Sequence, residues 1–262
     1  MRYLLARAKD NDLAELATSG GFTRCFIAHL LQTKRIDTAC LVRAGNADTN
    51  LKPEVVAVSD PDEFLYSRRF NSTYHFINPL PTLRGLEGKV AATLLPCQVQ
   101  RMEFQIECTI ELLCGLTPNQ QWHTKLLEWL HIQPEQVEEL THRHTWPAQV
   151  VAKNKNGQLH TLELPWPHRA QDMVYVNEFC KPCTLHEVGG DLIVGDPWCL
   201  PSDGKRGRTI VCVRNDKWNS VIDEMTTIDL EEMSANQWGT CLDNHTSGKD
   251  RKRMYGVGSC AR

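Results

Sequence analysis

The segment from residue 89 to residue 115 restricts the fold of this chain more than any other. Residues 89–95 form an apolar run of strand length, and Pro96-Cys97-Gln98 ends it. Residues 99–104 read as the first turns of a helix, and residues 107–113 are a second apolar strand before Cys114-Gly115. Strand, turn, helix and strand in that order make a βαβ unit, which places its two strands parallel. The expected class is therefore α/β, with a mixed, largely parallel sheet, flanking helices and a smaller lobe. Ligands of such sheets sit beyond the carboxyl ends of the parallel strands. Cys97 and Cys114 both fall there.

The remaining pattern agrees with that class. Residues 37–42, 53–58, 191–194 and 209–213 read as strands. Residues 12–17 and 22–31 read as helices, with Ser19 as a candidate N-cap. A further helix is expected to open at Asp60-Pro61, and a long one to span residues 119–140. Residues 150–152 and 159–164 flank a turn at 154–157 and predict a hairpin. The chain is divided at about Ser234: residues 1–234 form the folded body, and residues 235–262 a polar, loosely packed or partner-ordered tail.

Charge excludes several functions. A net charge of −3 leaves no electrostatic footprint for nucleic acid. No apolar run is long enough to span a bilayer, and the N-terminus shows no signal-peptide h-region. The expected location is the cytoplasm. There, 11 cysteines, an odd number in a chain of 262 residues, are either buried small hydrophobes or metal ligands. Cys25, Cys40, Cys108 and Cys212 lie in apolar periodic segments and are expected in the core.

Cys180-x-x-Cys183 is the sharpest motif, because two thiolates at that spacing can grip one metal. Alone it fits zinc, an iron–sulfur cluster or a redox dithiol. The short segment after it, ending in a Gly pair, disfavours the dithiol. Cys97 and Cys114 are the best candidates to complete a four-sulfur site. Cys199, Cys241 and Cys260 are reserves with nothing to pair them, and His142-x-His144 lacks a convergent third ligand. Asp196, ending a strand, fits either a ligand contact or a turn cap ahead of Pro197. Arg208, in a glycine- and cation-rich loop, fits a phosphate or an acidic carrier protein.

Five short motifs then stand in one order: Thr18-Ser19-Gly20-Gly21, Leu95-Pro96-Cys97-Gln98, Leu113-Cys114-Gly115, Cys180-x-x-Cys183 and Asp191-x-x-x-Gly195-Asp196. In that order the chain resembles the β subunit of the coenzyme F-420 hydrogenase/dehydrogenase family, which includes 7-hydroxymethyl-chlorophyll reductase. The resemblance implies a 4Fe-4S cluster on Cys97, Cys114, Cys180 and Cys183, held by a cluster-binding lobe. It implies FAD near Ser19, Gly20 and Gly21, where a helix N-terminus can receive a pyrophosphate. Asn71, Ser72, Thr73 and Tyr74 resemble the family's Gly-Ser-Lys-Tyr flavin loop, with Asn71 in place of the glycine and Thr73 in place of the lysine. Arg68 or Arg69 is then the nearest substitute cation.

The family's extra ferredoxin-like module, with its run of closely spaced cysteines, has no counterpart here. A ferredoxin, another electron carrier or a neighbouring subunit would therefore exchange electrons with the cluster. The implied activity is an oxidoreductase relaying electrons between that carrier and a small organic substrate, and assembly into an oligomer is compatible with it. A non-catalytic electron-transfer subunit and a zinc-stapled binding protein are the two competing readings.

Overall fold

The computed structural model describes residues 1–17, 19–71, 77–113, 120–141, 149–163, 177–178, 180, 187–197, 200 and 207–255, with the side chains of 120, 163 and 246–255 left outside the description. The main sheet is built from β1 (Arg2–Ala8), β2 (Thr38–Arg43), β3 (Glu54–Val58), β4 (Val90–Leu94) and β5 (Cys108–Leu112). After β6 (Val137–Thr141), β7 (Gln149–Asn154) and β8 (Leu159–Glu163), which form a second sheet, it is completed by β9 (Leu192–Gly195), β10 (Thr209–Val213) and β11 (Ile228–Glu232). Helices are α1 (Asn11–Leu16), α2 (Phe22–Gln32), α3 (Leu80–Arg84), α4 (Pro96–Val99), α5 (Gln120–Trp129), α6 (Lys217–Asp223) and α7 (Ala235–Tyr255).

The main sheet has the order β11-β1-β10-β9-β5-β4-β2-β3. Its four central strands, β9, β5, β4 and β2, run parallel, and antiparallel pairing is confined to the flanks. This is the mixed α/β sheet with flanking helices that the sequence implied. Central parallel strands are covered on both faces, so they tolerate few polar side chains. Ala91, Ala92 and Leu94 of β4 are buried, as are Cys108 and Ile110 of β5.

Strand alternation splits the core into two layers. Leu4, Ala6, Leu192, Val194, Val211 and Val213 face a cluster completed by Phe22, Phe26 and Leu30 of α2 and Trp218 and Ile222 of α6. Leu5, Ile193, Ile210 and Cys212 point the other way, into a cluster completed by Trp238 and Cys241 of α7. The smaller sheet, β6-β7-β8, packs Val137, Leu140, Val150 and Ala152 against Trp122, Leu126 and Leu127 of α5 and Leu130 just beyond it. None of the four candidate cysteines lies on its strands or on α5. The hairpin turn is as expected: Asn154 Oδ1 accepts the N–H groups of Asn156 and Gln158 at 3.0 and 2.9 Å, and Gly157 has φ +80°.

Four expectations are corrected. Loose packing does not begin at residue 235: Ala235 opens α7, whose Trp238 and Cys241 are 6% and 0% exposed, with Trp238 stacked on Tyr3 at 5.5 Å between centroids. The long helix over 119–140 ends at Trp129, because His131 turns left-handed (φ 54°) and Pro134 starts a short 3-10 turn that leads into β6. The helix expected at Asp60 is a single turn, Pro61–Glu63. The helical turn after β4 begins at Pro96 rather than at residue 99.

Replacing Trp238 with Ala should lower the free energy of unfolding by about 3 kcal/mol, the usual cost of deleting a buried indole. Urea titration followed by circular dichroism checks it, and an unchanged midpoint would show that α7 contributes no core.

Candidate functional site

Pairing direction collects distant loops at one edge of the main sheet. Parallel β4, β5 and β9 end there, and so does β1, while β10 begins there, since Ala6 pairs with Thr209 and Ile210 with Gly195. The segments carrying Ser19–Gly21, Cys97, Asp196 and Gly207-Arg208 therefore converge.

Ser19 was expected to cap α2. Instead the N-cap is Gly21, and the Ser19 hydroxyl donates to the Asp196 carboxylate. The Thr209 hydroxyl donates to the Ser19 carbonyl, and the Ala8 N–H donates to the Gly20 carbonyl at 2.7 Å. A Cβ on Gly20 (φ +71°) would lie 2.4 Å from the Gly207 carbonyl oxygen, so backbone contact alone demands this glycine. Gly21 has φ +85° and, among the described residues, no side-chain cap bond closes the start of α2, whose first-turn amides carry the partial positive charge of a helix N-terminus. Asp196 also meets His245 of α7 through its carbonyl oxygen, 3.1 Å from Nε2. It thus ties three segments together. The Arg208 guanidinium, 16% exposed, sits 3.3 Å from the Glu231 carboxylate.

Asn71 is buried and held from two sides. Its Nδ2 donates to the Leu16 carbonyl at 2.7 Å, and its Oδ1 accepts from Arg24. Arg24 also donates to the carbonyls of Phe64, Leu65 and Ser67 at 2.8–2.9 Å. Burial pushes its pKa down to about 10, which leaves it protonated at neutral pH. Sequence reasoning missed Arg24, although a charge within the apolar stripe of α2 was its signal. Ser72, Thr73 and Tyr74 lie outside the described residues. The suggested substitute cations have other contacts: Arg69 donates to the Ala44 carbonyl and pairs with Glu54 at 3.5 Å, and Arg68 lies 4.0 Å from Glu139.

The described cysteines fall into two groups. Cys25, Cys40, Cys108 and Cys212 are buried as expected, and Cys241, a reserve ligand on sequence grounds, joins them in the core. Desolvation pushes the thiols of Cys25, Cys40 and Cys212 up to about 11, and that of Cys108 well above its ordinary value. Cys97 and Cys180 are only half-buried. Cys97 lies in α4, where Pro96 sets the first helical φ and Gln98 locks the turn. Gln98 Oε1 accepts the Leu95 N–H at 2.9 Å, and its Nε2 donates to the Ile77 carbonyl at 2.7 Å. The Cys180 N–H closes a turn onto the Asn177 carbonyl at 2.8 Å.

Cys114, Cys183, Cys199, Cys260, His142 and His144 lie outside the described residues, and among the described residues no group of three or more His, Cys, Asp or Glu side chains could hold a metal. The donor chemistry still fits a thiophilic centre, since the only described cysteines kept out of the core are two of the proposed four ligands. A second missed residue is Glu111 at the end of β5. It is fully buried and accepts three consecutive backbone N–H groups, from Val188, Gly189 and Gly190, at 2.7, 2.9 and 2.8 Å.

Thiolate is the reactive form, so a raised pKa slows alkylation. At pH 8 a thiol of pKa about 11 is only about 0.1% ionised. In metal-free protein, iodoacetamide should therefore modify the half-buried Cys97 and Cys180 at least about 10-fold faster than the buried Cys25, Cys40 or Cys212. Mass spectrometry of timed digests checks this, and equal rates would contradict the two groups.

Two family models match the sequence. One, described as the N-terminal part of the coenzyme F420 hydrogenase/dehydrogenase β subunit, covers residues 3–83, and the other, its C terminus, covers residues 87–236. No curated protein matches. Among solved structures, the chain is similar to one from the xenon-derivatized F420-reducing NiFe hydrogenase complex of Methanosarcina barkeri. Identity is 16% and the TM-score 0.63, over 96% of this chain and 90% of that one. At that identity the likeness is one of fold.

Proposed function

The chain belongs to the coenzyme F420 hydrogenase/dehydrogenase β-subunit family, and from that premise we propose that it is a flavin- and 4Fe-4S-dependent oxidoreductase. It relays electrons between a carrier, a ferredoxin or a deazaflavin, and an organic substrate or partner subunit. The observation that carries the reading is that Cys97 and Cys180 are only half-buried, set against five described cysteines buried as small hydrophobes. Thiols kept out of an available core need another reason to be where they are.

Cys97, Cys114, Cys180 and Cys183 are the residues that would hold the cluster. The first turn of α2, after Gly21, would receive the FAD pyrophosphate, with Ser72, Thr73 and Tyr74 and the Arg208 guanidinium as further contacts. When bound, these groups would supply one-electron exchange at the cluster and two-electron chemistry at the flavin. The chain's own side chains supply position. Ser19 and Asp196 tie the glycine loop to the end of β9. Arg24 and Asn71 fix the segment that leads into Ser72–Tyr74. Pro96 and Gln98 fix the Cys97 turn.

A non-catalytic electron-transfer subunit is the second reading, favoured by the subunit name of the matched family and by the multi-subunit complex that contains the similar structure. Among the described residues no helix is long and apolar enough to cross a membrane. Docking to a carrier or partner would then take place without insertion.

Anaerobically purified protein should show flavin bands and a broad absorption near ~400 nm that bleaches with dithionite, as thiolate-bound iron does. Cys97→Ser and Cys180→Ser should each lose most of the iron and the broad band while retaining the native circular dichroism spectrum. A colourless preparation with one zinc per chain would overturn the redox reading. Dye reduction by the isolated chain favours the enzyme, and stability only beside a partner favours the subunit.

A further inference from the structure

We infer that Glu111 is a positioning residue for the iron–sulfur centre, clamping together the two stretches of chain that bear Cys114 and Cys183. The inference rests on the cluster assignment above. Glu111 lies three residues before Cys114 in sequence, and the amides it accepts from lie five to seven residues after Cys183.

The contact is specifically built. Glu111 Oε1 takes the Val188 N–H, and Oε2 takes both Gly189 and Gly190. A Cβ on Gly190 would meet the Glu111 Cβ at 2.8 Å, so only glycine lets the segment come this close. One residue on, Asp191 repeats the link from the other side: its Oδ2 accepts the Thr109 N–H of β5 at 2.8 Å, and its Oδ1 accepts from Asn215 at 2.7 Å. A buried carboxylate is costly unless its hydrogen bonds are complete. With three charge-assisted bonds it holds the segment in one arrangement. A glutamine keeps the shape, but it loses the charge and turns an amide donor toward an N–H. Outer groups that orient metal ligands typically account for about 10–100-fold in metal affinity.

Glu111→Gln should therefore speed iron loss to a chelator by about 10–100-fold relative to wild type. It should raise the cluster's reduction potential, because a fixed negative charge is gone. Hydrogen exchange at residues 188–190 in metal-free protein should accelerate by at least about 10-fold. Gly190→Ala, which keeps the charge but presses on the clamp, should also speed iron loss. Leu126→Ala, in the core of the smaller sheet, serves as a control for general destabilisation away from this segment. If Glu111→Gln holds iron as tightly as wild type, or Leu126→Ala sheds it equally fast, the clamp is refuted. Wild-type protein that takes up no iron is a different failure, that of the cluster assignment itself.

Discussion

Parallel pairing of β4, β5 and β9 is the constraint from which the arrangement of this molecule follows. Three strands that run the same way deliver their outgoing loops to the same edge, whatever lies between them in sequence. The antiparallel flank extends the effect. β10 returns beside β9 and β1 beside β10, so the start of one and the end of the other arrive at that edge too. Residues near positions 20, 97, 111, 196 and 208 become neighbours or near-neighbours of one rim for a reason of topology. The chemistry of the rim is then a matter of which side chains the loops carry.

The glycine motif shows that one sequence signal can have two physical causes. Gly20 and Gly21 suggest a backbone open to a phosphate, yet Gly20 is required because Gly207 approaches it from the loop before β10. That contact, with the Ser19–Asp196 and Thr209–Ser19 hydrogen bonds, draws the loop before α2 onto the strand ends. Gly21 keeps the other role. It sets the left-handed entry to α2 and leaves the first turn without a side-chain cap. The motif would thus serve assembly and ligand binding through adjacent residues.

What the sequence made legible were features with local causes. Apolar runs closed by Pro96 and by Cys114-Gly115 revealed β4 and β5, and the Asn154–Gly157 turn revealed β7 and β8. Apolar periodicity correctly placed Cys25, Cys40, Cys108 and Cys212 in the core. Features with distant causes were hidden. α7 packs Trp238, Cys241 and Leu242 from within a polar sequence, so its packing depends on a face of the sheet assembled from β1, β9 and β10. β6 was hidden inside a leucine-rich pattern that suits a helix until Pro134 interrupts it. Arg24 and Glu111 were invisible as site residues because their partners are mostly backbone groups 40 to 79 positions away.

Those two residues share a physical logic. Loops at a functional rim lack ladder partners, and their carbonyls and amides still need hydrogen bonds where water is excluded. Arg24 supplies donors to the carbonyls of residues 64, 65 and 67, and Glu111 supplies acceptors to the amides of residues 188–190. Each is a buried charge answered by backbone dipoles. A buried ion answered in this way is tolerated only when every bond is made, since one missing partner leaves part of its desolvation cost uncompensated. The loop is therefore held in its full arrangement or released altogether. Loop backbone at the rim thereby acquires a definition close to that of a strand, which a multi-ligand centre requires and which irregular chain cannot supply by itself.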